Sequence, residues 1–328
     1  MQNSYNQKLS QISFILFSTI LVFLLIIHFP EVNNLFNHDV GSVAAYDYWT
    51  KNRFSYGKEI IQNVGPFGFI NYPDLYTGIL DVEKIYINII ITFTSSLLIS
   101  IMISGQKVRM RCISFLIIFL FLDHDTHFYI LFSLISFNLF FKERNLINFF
   151  LLFLLSVLTL SKGMFIYLTF FLLIILSINS LIFKKSFIGF FYFCVLLLFI
   201  VFNWILIGQE ISILPVFIFK LFAFVGGYNE AMSIYESNGM LIVGLIIGAL
   251  FVLYMLSGIL TIRSYDLTLN KTANIYMFSL VQCSILFVTW KHGFVRADQH
   301  VVIFFQFVVV NFFLIYSNVF NMVYNIKG

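Results

Sequence analysis

The chain has 328 residues, of which 60% are hydrophobic and only 10% are charged, and its mean hydropathy is +0.96. Soluble domains carry about 25% charged residues, so this composition excludes a water-soluble fold and predicts an all-α, polytopic membrane protein. The net charge of +4 does not indicate a nucleic-acid partner, because the charges lie in loops between apolar runs.

A membrane-spanning helix needs about 20 mostly apolar residues. We predict about ten spans in a single integral membrane domain, 1–328, and they are, in chain order, 11–29, 85–104, 112–122, 128–141, 147–161, 164–183, 186–207, 240–262, 273–290 and 301–321. The third, fourth and fifth of these runs are short for a span. The first run is too long for the apolar core of a cleaved signal peptide, so we interpret it as a retained signal anchor.

Lysine and arginine predict the orientation, because these residues are enriched in cytoplasmic loops. With the N-terminus in the cytoplasm, eleven of them fall inside, and the short outer loops hold only Lys162, Lys220, Lys291 and Arg296. Four more lie in the outer loop 30–84, but long loops count weakly in this rule. We therefore predict that both the N-terminus and the C-terminus lie inside.

Acidic residues and histidines are concentrated on the opposite side in this orientation. Thirteen of the fifteen Asp and Glu residues and all six His residues fall outside. The preference of Lys and Arg for the inside does not explain this, since Asp and Glu contribute little to it. Either the greater length of the outer loops or a polar site on the outer face accounts for the excess.

The long outer loop 30–84 predicts a juxtamembrane helix from Asp39 to Arg53. Its apolar face comprises Val43, Tyr46, Trp49 and Thr50, while Asp47, Lys51 and Arg53 fall elsewhere. Asp39 is either an acid that faces an outer cavity or the N-cap of this helix. Farther along, the sequence Gly-Pro-Phe-Gly at 65–68 predicts a close approach of the backbone to another loop or to a ligand.

Ionisable residues interrupt the apolar run 112–141 at positions 123–127, where the sequence is Asp-His-Asp-Thr-His. One long helix would bury these charges in the bilayer, whereas two short helices joined by a tip at 123–127 would allow water to reach them. Eleven apolar residues rise only about 16 Å, against a hydrocarbon core of about 30 Å. We therefore predict a hairpin whose tip lies below the outer surface and lines a water-filled cavity.

The tip residues have two interpretations. Asp123 and Asp125 could direct both carboxylates at one divalent cation such as Mg²⁺ or Mn²⁺, and His124 and His127 could join a transition-metal site. Alternatively, Asp123 or Asp125 caps the helix that follows.

Basic residues on the predicted outer side also have two explanations. Lys162 ends one span, and the segment 289–302 contains Lys291, His292, Arg296, Asp298 and His300. They either bind a lipid-linked phosphate, for which Arg and Lys are well suited, or pair with local acids such as Asp298. Segment 208–230 predicts an interfacial or re-entrant helix that borders a lipid groove.

These features together resemble the GT-C superfamily of integral membrane glycosyltransferases. The resemblance covers roughly residues 1–190: a first span, a long outer loop with an early Asp and a juxtamembrane helix, and short third and fourth spans with Asp-x-Asp between them. It implies that Asp39 matches the first-loop acid of the superfamily and that Asp123 and Asp125 match its second-loop motif. The chain departs from the superfamily in its short length and in His124 and His127.

The resemblance implies transfer of a sugar from a polyprenyl-phosphate or polyprenyl-diphosphate donor to a glycan, lipid or protein acceptor. We expect this on the outer face of the bacterial inner membrane, with Asp39 as the base and with Asp123 and Asp125, through a divalent cation, steadying the leaving phosphate. The residues expected to bind the donor phosphate are Lys162, Lys291, Arg296 and His300. Helices within 191–328 would bind the donor lipid.

Three other functions stay open. A transporter or flippase of lipid-linked glycans would share the outer polar residues but should also have polar residues midway through several spans. An O-antigen-type polymerase would use outer basic residues, although the acidic tip fits it less well. A structural membrane subunit needs none of these residues for chemistry.

Overall fold

A computed structural model describes the backbone of residues 2–29, 38–72, 76–142, 146–232, 238–263, 269–296 and 300–319. Side chains are described in the same ranges except at 2–8, 38–40, 225–232, 238, 258–263, 295 and 296. Within these ranges all of the regular secondary structure is helical.

Twelve α-helices occur in the described ranges. They are α1 (Gln2–Ile26), α2 (His38–Lys51), α3 (Asp81–Ser104), α4 (Val108–Phe121), α5 (His124–Phe141), α6 (Leu146–Thr159), α7 (Gly163–Ile182), α8 (Ile188–Leu206), α9 (Leu214–Met232), α10 (Asn238–Arg263), α11 (Leu269–Arg296) and α12 (His300–Asn311). A π-helical turn, Phe312–Tyr316, continues α12, and short 3₁₀ turns lie at Gly68–Asn71 and Ile211–Ile213. Helices α2 and α9 form where helices were predicted and largely overlap the ranges 39–53 and 208–230.

Seven helices in the described ranges are long and apolar enough to cross a membrane. These segments are Leu9–Ile26, Asp81–Ser104, Gly163–Ile182, Ile188–Leu206, Gly239–Ser257, Leu269–Phe294 and His300–Val319. They confirm the prediction of an all-helical, multi-pass membrane protein. The three predicted spans that are short in sequence form α4, α5 and α6, which are shorter or more polar than these seven.

The predicted interruption of the apolar run 112–141 is confirmed, because α4 ends at Phe121 and α5 begins at His124. The tip is shorter than predicted. Only Leu122 and Asp123 lie between the two helices, and residues 124–127 form the first turn of α5. The ionisable residues are therefore displayed by the start of a helix and not by an extended turn.

The chain divides into two compact units that alternate along the sequence. The first unit comprises Met1–Ile27, Ile90–Phe137 and Ile234–Gly328. The second unit comprises His28–Ile89 and Asn138–Ser233.

In the second unit, the Gly-Pro-Phe-Gly segment approaches the loop between α6 and α7. The backbone N–H groups of Gly65 and Phe67 donate hydrogen bonds to the carbonyls of Ser161 and Leu160, at 3.1 Å and 3.2 Å. A Cβ atom on Gly65 would lie 2.2 Å from the Leu160 carbonyl oxygen. The predicted close approach is confirmed, and its partner is another loop.

A buried ion pair joins α2 to α3 in the second unit. The Nζ atom of Lys84 lies 2.6 Å from a carboxylate oxygen of Asp47, and neither side chain is exposed. The hydroxyl of Thr77 donates a second hydrogen bond to the same carboxylate. Placing Asp47 off the packed face of α2 was wrong, because it lies one turn from buried Val43 and from buried Thr50. Burial raises the pKa of Asp47, and the hydrogen bond from Lys84 opposes that rise.

Candidate functional site

Polar side chains from the α4–α5 hairpin and from the α11–α12 connection meet in the first unit. The Tyr129 hydroxyl and Nδ1 of His292 share a hydrogen bond of 2.9 Å. The imidazole rings of His292 and His300 lie 5.2 Å apart, centroid to centroid. Together with Asp125, which precedes Tyr129 by one turn of α5, these residues are the tip cluster: Asp125, Tyr129, His292 and His300.

A second contact supports the same junction. The Thr126 hydroxyl donates a hydrogen bond of 2.7 Å to the side-chain carbonyl of Gln306 on α12. Thr126 is fully buried, so this bond is shielded from competition by water. The first turn of α5 is therefore tied to both α11 and α12.

Asp123 explains why α5 begins where it does. Its Oδ1 atom accepts a hydrogen bond of 2.8 Å from the backbone N–H of Thr126, three residues later. An aspartate at the N-cap satisfies a helix N–H that otherwise has no acceptor. Of the two interpretations left open for the tip acids, the structure contains this cap.

Asp125 is an exposed acid in the first turn of α5. Its side chain is 52% exposed, and its Oδ1 atom lies 3.9 Å from Nδ1 of His124, whose own side chain is 15% exposed. Because Tyr129 follows at i+4, the carboxylate and the phenol occur on the same face of α5. This face also carries the hydrogen bond that Tyr129 shares with His292.

His124 and His127 form a compact imidazole pair at the start of α5. Their ring centroids lie 5.2 Å apart, and both rings pack against Phe128. Nδ1 of His127 lies 2.6 Å from the backbone carbonyl oxygen of His124. Among the residues that the structure describes, no group of three or more His, Cys, Asp or Glu side chains is arranged to hold a metal ion. Binding of a divalent cation by Asp123 and Asp125 stays a prediction.

Glycine allows α11 and α12 to come close enough to pair their histidines. A Cβ atom on Gly293 would lie 3.0 Å from the carbonyl oxygen of His300 and 3.2 Å from Cα of Val301.

On α10, a Cβ atom on Gly244 would lie 2.1 Å from the ring of Phe294. The Gly-x-x-x-Gly sequence at 244–248 thus serves close packing of α10 on α11, as such motifs do elsewhere.

The other predicted site residues are distributed as follows. Lys291 is half-buried and immediately precedes His292 in the first unit. Lys162 belongs to the second unit, where it precedes α7 and pairs through its backbone with Val64. Asp39 lies in the first turn of α2 and Arg296 is the last residue of α11, but their side chains lie outside the described residues.

Three members of this junction were missed from the sequence: Thr126, Tyr129 and Gln306. A signal for two of them was present. Tyr129 occurs at i+4 from Asp125, and Gln306 is an isolated amide in the apolar run His-Val-Val-Ile-Phe-Phe-Gln-Phe-Val-Val-Val. Polar residues within membrane helices commonly mark sites or helix contacts.

Comparisons with known proteins return no match: no protein family, curated protein or solved structure is detectably similar to this chain. The functional conclusion therefore depends on the residues themselves.

Proposed function

We propose that this protein is an integral membrane glycosyltransferase that uses a polyprenyl-phosphate or polyprenyl-diphosphate sugar as its donor. The acceptor is a hydroxyl of a glycan, lipid or protein on the outer face of the bacterial inner membrane. The observation that carries the proposal is the tip cluster, in which an exposed carboxylate lies one turn of α5 before a phenol, and the phenol is hydrogen-bonded to one of two adjacent imidazoles.

The proposal includes a GT-C-like topology. In it, α4, α5 and α6 cross the membrane with the seven longer helices, and both termini lie in the cytoplasm. The 14 residues of α4 rise about 21 Å, less than the hydrocarbon thickness of about 30 Å. The tip is then recessed, and its polar residues require a water-filled cavity open to the outer face.

In the proposed reaction, Asp125 acts as the general base. The acceptor oxygen forms a bond to the anomeric carbon of the donor sugar while the bond from that carbon to the phosphate oxygen breaks. The leaving phosphate keeps the bonding electron pair, and Asp125 takes the proton of the acceptor hydroxyl. Asp125 suits this role better than Asp123, because one oxygen of Asp123 already caps α5.

The imidazoles supply the phosphate-binding half of the site. When protonated, His292 and His300 donate charge-assisted hydrogen bonds to phosphate oxygens, and Lys291 adds a positive charge next to them in sequence. Tyr129 holds His292 through the hydrogen bond at 2.9 Å. The roles expected for Asp39 as a base and for Lys162 and Arg296 in phosphate binding stay separate predictions.

A transporter of lipid-linked glycans is the second candidate, and one observation favours it. Gln282 lies near the middle of α11 and Asn311 lies near the middle of the possible span His300–Val319. Both are fully buried, and their side chains share a hydrogen bond of 2.9 Å. Polar residues at mid-membrane depth are typical of transport pathways.

The deciding experiment is a sugar-transfer assay in nanodiscs with a panel of labelled polyprenyl-phosphate sugars. Asp125→Asn should lower the transfer rate by about 10²–10⁴-fold, because it removes the base. Glu83→Gln, at an exposed acid paired with Lys51 in the second unit, is the matched control and should retain full activity. Full activity of Asp125→Asn would contradict the proposal. The transporter would be favoured if the protein flips the lipid-linked sugar in proteoliposomes, if Gln282→Leu abolishes this flipping, and if no sugar transfer is detected.

A further inference from the structure

Helices α1 and α4 enclose an apolar groove in the first unit. Its volume is about 720 Å³, and all of its lining residues are apolar: Leu21, Val22, Leu24, Leu25, Phe115, Leu116, Ile118 and Phe119. This volume lies within the range of about 300–1,000 Å³ that is usual for ligand sites. The tip cluster lies elsewhere in the unit, and the groove forms no part of it.

The groove has a closed floor and an open side. Val22 and Ile118 form the floor and are 2% and 1% exposed, whereas Leu24 and Phe119 form the rim and are 65% and 69% exposed. Because α1 is one of the helices able to cross a membrane, the open side faces hydrocarbon. The hydrocarbon chain of a lipid is the occupant that this setting supplies.

The groove leads to the candidate site. Phe119 on its wall precedes Asp123 by four residues, which corresponds to about 6 Å along a helix axis. Helix α4 ends at Phe121, and the tip follows immediately. A lipid whose chain lies in the groove, with its head group toward the end of α4, would place that head group near Asp123, which precedes the helix that carries Asp125 and Tyr129 of the tip cluster.

We propose that this groove binds the isoprene units nearest the phosphate of a polyprenyl-phosphate donor. The inference rests on the proposed function, because the sugar-transfer reaction is what requires a polyprenyl phosphate at the tip. It adds a binding site for the lipid chain, formed by α1 and α4, to the phosphate-binding residues of α11 and α12.

The test uses the full chain in nanodiscs and a polyprenyl phosphate that carries a diazirine on its first isoprene units. After photolysis, mass spectrometry of the labelled peptides should find adducts within 21–25 and 115–119. Excess unlabelled polyprenyl phosphate should abolish this labelling, and excess phosphatidylglycerol should not. These two competitors separate the proposed donor from ordinary membrane lipid.

Groove-filling variants make the test quantitative. Leu116→Trp should raise the concentration of probe that gives half-maximal labelling by about tenfold or more. Keeping about two methylene groups of the lipid chain out of the groove weakens binding by that factor. Leu250→Trp on α10 is the matched control, because Leu116 and Leu250 are 57% and 59% exposed. Leu21→Trp fills the groove from the opposite wall and guards against misfolding of a single variant.

The outcomes separate the groove from the reaction. Labelling outside the groove, labelling removed equally by phosphatidylglycerol, or labelling unchanged in both groove variants would overturn the groove. Specific labelling of the groove without transfer of any donor sugar supports the groove and overturns the proposed reaction. Transfer activity together with labelling outside the groove supports the proposed reaction and overturns the groove.

Discussion

Tyr129 and His292 lie 163 positions apart in the chain, and their side chains share a hydrogen bond of 2.9 Å. Tyr129 is fully buried on α5, one turn after the exposed acid Asp125, and His292 is next to His300. This bond joins the acidic half of the tip cluster to its imidazole half. It also orients an imidazole that, in the proposed reaction, meets the donor phosphate.

Replacing Tyr129 with Phe should impair transfer more than it impairs folding. The change removes only the hydroxyl, and a typical buried hydrogen bond stabilises a protein by about 0.5–1.5 kcal/mol. The rate of transfer should fall by about tenfold, because His292 loses the group that orients it. Tyr192→Phe is the matched control, since the Tyr192 hydroxyl bonds Asn148 at 3.1 Å in the second unit. Equal rates for the two variants would remove Tyr129 from the site.

Because Asp123 caps α5, substitutions of Asp123 should affect the stability of the protein. Asp123→Ala should lower the free energy of unfolding by about 0.5–2 kcal/mol, whereas Asp123→Ser should preserve most of it, because serine also caps helices well. Unfolding in denaturant, followed by helical circular dichroism, measures both variants. If Asp123→Ser retains stability but loses transfer activity, Asp123 has a role beyond the cap.

The ion pair of Asp47 and Lys84 should be a large contributor to the stability of the second unit. Removing one partner leaves a buried charge without its counter-ion, which typically costs about 3–5 kcal/mol. Asp47→Leu and Lys84→Met should therefore each destabilise strongly, and the double variant should be more stable than either single variant. The free energies of unfolding of all four proteins form a double-mutant cycle. Additive losses would show that the two side chains do not act as a pair.

The proposed orientation predicts which residues reach the cell exterior. In a variant with Cys112, Cys194 and Cys283 replaced by serine, a cysteine at Asp125 should react with a membrane-impermeant thiol reagent in intact cells. A cysteine at Lys107, which is exposed just before α4, should react only after the membrane is permeabilised. The opposite pattern would reverse the orientation and contradict the outer-face site.

Features that depend on residues close together in the sequence could be predicted from the sequence. The cluster of ionisable residues at 123–127 predicted the break between α4 and α5, since a continuous helix would bury them in the bilayer. The glycines of 65–68 predicted a backbone approach that the Leu160 carbonyl realises. The start of α5 at His124 could also be predicted, because Asp is favoured at the N-cap position and Asp123 immediately precedes the helix.

Pairings between distant residues could not be predicted in this way. The periodicity of α2 places Asp47 one turn from Val43 and Thr50, but it does not indicate that Lys84 is the partner of Asp47. The contact of Tyr129 with His292 depends on how α5, α11 and α12 pack, and the small side chain of Gly293 permits that packing. For α4, α5 and α6, length alone does not decide whether a helix crosses the bilayer, since each is shorter than about 20 residues.

The most direct test of the central claim is an electron cryo-microscopy structure of the protein in nanodiscs with a bound polyprenyl-phosphate sugar. The account predicts that a phosphate oxygen lies within hydrogen-bonding distance of His292 or His300, about 2.7–3.2 Å, and that the sugar lies against Asp125. A donor phosphate bound elsewhere, with the tip cluster contacting only protein and water, would contradict the account.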